Sequence, residues 1–79
     1  MTLSEPVEKS SKYIHCNLGV LLDQRSMTLL ELSDRVGVTV ANLSKLKNNR
    51  AKAIRFSTLL AICDVLECSP GDLLRIGRR

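Results

Sequence analysis

The segment from Thr28 to Asn49 constrains this chain more than any other part of it. Thr28 and Glu31 stand at the T-x-x-E spacing of a capping box, in which a hydroxyl and a carboxylate satisfy the orphan amides of a helix start. Leu32 and Val36 follow at helical spacing. Gly37 stops that helix, because the residue after a helix commonly turns left-handed and glycine does so without steric cost. Two residues later Thr39 can cap another helix, with Leu43 and Leu46 on its inner face and Val40, Ala41, Asn42, Ser44 and Lys45 elsewhere. Asn48 and Asn49 end it, since asparagine tolerates the left-handed backbone better than most residues.

A chain of 79 residues has room for one domain, and a domain so small needs a well-packed core or self-association. Its composition, 44% hydrophobic and 25% charged, supports such a core and argues against wholesale disorder. Tyr13 and Phe56 are its only aromatic residues, too few for a base-stacking platform that binds single strands. No apolar run approaches the ~18 residues of a membrane span, so a cytoplasmic protein is expected. Cys16, Cys63 and Cys68 are odd in number and read as free thiols. With a lone His15 they form neither a zinc knuckle nor a nucleophile-base-acid set, so no metal, cofactor or enzymatic activity is expected.

Charge is distributed unevenly. Residues 1–34 carry three basic and five acidic side chains, 35–58 six basic and none acidic, and 59–79 three of each. The six cations, Arg35, Lys45, Lys47, Arg50, Lys52 and Arg55, suggest a surface for a polyanion.

The flanks supply three more helices. Residues 1–12, polar and without apolar period, are expected to form a mobile arm ahead of a domain at 13–79. Ile14, Leu18, Leu21 and Leu22 space a first helix ending near Arg25. Leu59, Ile62, Cys63 and Leu66 space a fourth over 57–66, and a short fifth runs over 70–76 behind the cap Ser69, with Pro70 in its first turn. The expected fold is all-α, a compact bundle of about five short helices with no strand.

Two short helices around a glycine turn are what a helix-turn-helix needs, one lying across the nucleic-acid backbone while the next enters the major groove. Leu32, Val36, Val38, Leu43 and Leu46 fill its apolar positions, and Ser33 is the small residue where the helices cross. Through MTLLELSDRVGVTVANLSKLKNNRAKAIRFSTLLAICDVLECSPGDLL, residues 27–74, the chain resembles the Cro/C1-type (XRE-like) helix-turn-helix family. The resemblance implies a lambda-repressor-like domain that binds double-stranded DNA, usually as a homodimer on a pseudo-palindromic site. Matched by position, the base readers would be Val40, Ala41, Asn42, Ser44 and Lys45. The phosphate ligands would be Thr28, Thr39, Lys47, Asn49, Arg50, Lys52 and Arg55.

The chain departs from the family pattern in three places. Leu29 replaces a frequent glutamine, Asn48-Asn49-Arg50 replaces Asn-Gly-Lys, and Arg55 stands where a serine usually caps helix 4. Leu73, Leu74 and Ile76 are too many apolar side chains for one short terminal helix to bury and are expected to supply a dimer contact. An alternative use of the same fold is a protein-interaction module, antitoxin-like or anti-activator. Asn42-Leu43-Ser44 also matches a glycosylation sequon, which a position on a recognition helix argues against.

Overall fold

The structure, a computed structural model, describes residues 11–78. Its elements in chain order are β1 (Lys12–Cys16), α1 (Leu18–Gln24), α2 (Leu29–Val36), α3 (Val40–Lys47), α4 (Phe56–Leu66), α5 (Pro70–Leu73) and β2 (Leu74–Arg78). Five helices were expected, and five are present among the described residues. The all-α expectation is corrected by a two-stranded antiparallel sheet, β1 against β2. Residues 1–10 of the expected arm lie outside the described residues, and Lys12, assigned to it, belongs to β1.

The sheet replaces both ends of the expected helices. Helix 1 begins at Leu18 rather than Ile14, and α5 stops at Leu73 rather than Ile76. The physical reason is a choice between two periods. Ile14 and Leu18 fit a helical spacing, but Ile14 and Cys16 also alternate, as do Leu74 and Ile76, and tertiary pairing selects the strand. In register, Cys16 faces Leu74, Ile14 faces Ile76 and Tyr13 faces Gly77. Tyr13 lies over Gly77 so closely that a Cβ there would sit 2.6 Å from the ring's Cζ. The aromatic ring thus covers the backbone that a glycine leaves bare.

The core gathers one face of every helix. Leu18, Leu32, Leu43, Ile62, Leu66 and Leu73 are its fully buried large side chains, with Cys16 reaching in from β1. Each such side chain contributes about 1.5–3 kcal/mol on burial, so Leu43→Ala alone threatens a domain of this size. Leu73, expected at a dimer contact, is corrected to this core, where it is 1% exposed as the one buried side chain of a single-turn helix. Leu74 is half-buried against the same cluster, and only Ile76 of the three is exposed.

Left-handed residues end four helices: Ser26, Gly37, Asn49 and Glu67. After α3, the Asn49 and Arg50 amides donate to the carbonyls of Leu46 and Lys45, closing a Schellman motif. After α4, the Glu67 and Cys68 amides do the same to Asp64 and Cys63. The Arg25 Nε donates to the Leu66 carbonyl and ties the end of α1 to the end of α4. A reciprocal capping box does form, though at Ser69 and Asp72 rather than at Thr28 and Glu31.

Candidate nucleic-acid interface

Local chemistry fixes the angle between α2 and α3. Thr28 Oγ1 accepts from the Glu31 amide at 3.1 Å, and Thr39 Oγ1 accepts from the Asn42 amide at 3.2 Å, so each hydroxyl starts a helix. Between them Gly37 takes φ 72° and ψ 25°, a conformation that an L side chain reaches only at a cost. Ser33 was expected only to leave room. Its hydroxyl also donates to the Val38 carbonyl at 2.6 Å, which bolts α2 to the turn.

On this frame α3 buries Leu43 and Leu46 and leaves Val40, Ala41, Asn42 and Lys45 exposed. Ser44 is half-buried, and its Oγ accepts from Asn48 Nδ2 at 3.2 Å, so it stands less free than the other expected readers. Thr39, having accepted from Asn42, retains its hydroxyl proton for an external acceptor. The Thr28 hydroxyl lies 3.4 Å from the Glu31 carboxylate, which points a negative charge at any phosphate approaching it.

An open cleft runs from α3 across the loop to the start of α4, and it brings together Thr39, Asn42, Lys45, Arg50, Lys52 and Arg55. Ile54 packs against the core and pins the loop beneath these cations. Thr58, in the first turn of α4, also lines the cleft. Nothing about Thr58 marked it in the sequence beyond its distance of three residues from Arg55. Arg55 occupies the N-cap of α4 and makes no side-chain cap, leaving its guanidinium and the first amides of that helix open toward the cleft. None of the cleft cations is held in an ion pair with another described residue.

Two of the expected phosphate ligands stand apart. Lys47 does not line the cleft, and its aliphatic stem passes over Gly19 of α1, where an added Cβ would meet Lys47 Cε at 3.4 Å. Asn49 takes φ 60°, and its Oδ1 accepts from the Cys16 amide at 2.6 Å, joining the end of α3 to β1. That bond was not foreseen, because its partners lie 33 residues apart. It explains the asparagine at a position where the resemblance favours glycine.

The thiols take no part in the cleft. Cys16 and Cys63 are buried and Cys68 is half-buried. Burial, followed by the adjoining Cys63 thiol, pushes Cys68 up to about 11, and burial likewise raises Cys16.

Comparison with known proteins agrees with this geometry. The family model of the Cro/C1-type HTH DNA-binding domain matches residues 17–76. The chain is 64% identical over 58 residues to a Bacillus subtilis (strain 168) protein named uncharacterized HTH-type transcriptional regulator YozG, covering 73% of this chain and 69% of that one. The crystal structure of transcriptional regulator VanUg, Form II, superposes with a TM-score of 0.73 at 32% identity, covering 95% of this chain and 99% of that chain. The helix pair is that of a helix-turn-helix DNA-binding domain, and the chain belongs to the Cro/C1-type helix-turn-helix family of transcriptional regulators.

Proposed function

We propose that this protein is a cytoplasmic, non-enzymatic repressor that binds duplex DNA in a sequence-specific way, two copies to a two-fold site, with α3 in the major groove. The observation that carries the reading is the exposed row Val40, Ala41, Asn42 and Lys45 beside a cleft of cations that pair with no other described residue. Val40 and Ala41 suit thymine methyls, Lys45 suits guanine O6 and N7, and Asn42 suits adenine. Ser44, half-buried, contributes at the edge of that set. Thr39, Arg50, Lys52 and Arg55 hold phosphates and set the register, with Lys47, Asn49 and Thr28 farther from the groove. Repression follows from occupancy: a bound dimer covers promoter DNA that polymerase must reach.

The test is selection of bound duplexes from a random pool, then titration of the selected duplex at increasing salt. A single enriched two-fold motif is expected, with log affinity falling against log salt at a slope of roughly −3 to −4 per copy, as about four phosphate contacts release counterions. No enrichment, or a flat salt response, refutes the reading, and retention of a protein with no duplex affinity transfers the fold to a protein-binding role.

A further inference from the structure

The outer face of α4 carries the contact between copies: we infer that α4 packs antiparallel against α4 of a second copy of this chain, across Phe56 and Leu60. The inference rests on the two-copy reading above and says where the copies meet. Phe56 and Leu60 are 87% and 71% exposed, the two most exposed large apolar side chains among the described residues. They lie four residues apart, hence on one face of α4, while Ile62, Cys63 and Leu66 occupy the buried face. A groove beside them continues past Cys63 to Pro70.

Charge selects the occupant. The far rim of the groove is acidic, with Asp64, Glu67 and Asp72, and hydrogen bonds from Ser69 hold the Asp72 carboxyl below the usual range. The near end is the start of α4, electropositive through its uncapped amides, with Arg55 at the N-cap turned to the neighbouring cleft. A helix with a positive start and a negative finish complements a copy of itself only when the two run antiparallel. With the two-fold axis at Leu60, Phe56 of one copy falls opposite Asp64 of the other and enters its groove. The start of each helix then lies against the acidic finish of its mate. A basic peptide from another protein would satisfy the acidic rim but meet repulsion at the positive start of α4.

The area sets the strength. Phe56 and Leu60 offer roughly 300 Å² per copy, against about 800 Å² per partner in a standard interface. Pairing is therefore weak in the free protein and closes when a duplex holds two copies side by side.

The test compares the parent chain and Leu60→Asp on a selected two-fold duplex and on its isolated half-site, by sedimentation, with thermal melting as the control for folding. Leu60→Asp should bind the half-site as the parent does, yet need at least tenfold more protein to fill the second half-site. Leu60→Cys provides an independent measurement. On the two-fold duplex with oxidised glutathione it should form an intermolecular disulfide through the introduced thiol, which Ile76→Cys should not. Equal filling by Leu60→Asp, or linkage through Ile76→Cys instead, overturns the α4 contact while two copies per site still stand. One parent copy per two-fold site at saturation overturns both.

Discussion

Glycine substitution at Asn49 and at Glu67 should shift stability in opposite directions, although both residues end helices in the left-handed conformation. Glu67 holds φ 52° and ψ 51°. That conformation costs an ordinary L residue about 1–2 kcal/mol, and glycine's extra freedom in the unfolded chain returns about 0.5–1 of it. Glu67→Gly should therefore stabilise by about 0.5–1 kcal/mol and raise Tm by roughly 2–8 °C. Asn49 pays less strain, since asparagine visits this region readily, and its Oδ1 satisfies the Cys16 amide at 2.6 Å. Removing that acceptor leaves a largely enclosed N–H without a partner, at a cost of about 1–3 kcal/mol. Asn49→Gly should be net destabilising by about 1–2 kcal/mol, and Asn49→Asp, which keeps an acceptor but places a negative charge at the end of α3, should fall between. Thermal and urea unfolding followed by far-UV circular dichroism, at one fixed protein concentration, reads all three. If Asn49→Gly stabilises as Glu67→Gly does, the link from α3 to β1 contributes nothing and the reasoning fails.

Three further outcomes are expected. Lys45→Ala should relax base preference at one position per half-site, at about 1–3 kcal/mol, whereas Lys52→Ala should weaken every duplex alike and lower the salt slope by about one; binding to a panel of mutated sites separates the two. Cys68, with its pKa near 11, should be almost entirely protonated at pH 8, a thiolate fraction on the order of one in a thousand, so peptide mapping after iodoacetamide should find it modified far more slowly than free cysteine. Asp72 has a lowered pKa, so its cap on α5 stabilises fully above the ordinary carboxylate value and loses that effect as pH falls through the lowered one; the stability gap between parent and Asp72→Asn should be present at pH 7, begin to narrow below about pH 4 and close once the lowered pKa is passed, and a gap that persists in stronger acid would exclude a charge-assisted cap.

The helix pair at the interface was legible because its signals are local. Thr28, Thr39 and Gly37 each act on residues within four positions of themselves, so the sequence alone places both helix starts and the turn. The cluster of cations was legible too, but its division was not: Lys45 faces the cleft and Lys47 lies along α1, a difference set by helix phase and by the room above Gly19. The sheet was hidden because its strands come from opposite parts of the chain, Lys12 pairing with Arg78, and neither strand shows a period that excludes a helix. Leu73 was misassigned for the same reason. Once Leu74 and Ile76 leave the helix for β2, the short helix that remains has a single large apolar side chain to bury, and it buries it.

The pairing of β1 with β2 also sets an order of events during folding. The packing of α2 on α3 and on α4 joins elements closer in sequence than the strands, whereas Cys16 and Leu74 must close a loop of roughly sixty residues before their first bond forms. The helical core is therefore expected to condense in the rate-limiting step and the sheet to zip afterwards, as a clasp on a structure already formed. Weakening the clasp, for instance at Tyr13 or Gly77, should leave the folding rate nearly unchanged and speed unfolding, which a chevron plot of folding and unfolding rates checks. On that order the sheet should be the first part to open in the folded population, and through Asn49 each opening would slacken the end of α3, the helix proposed to read DNA.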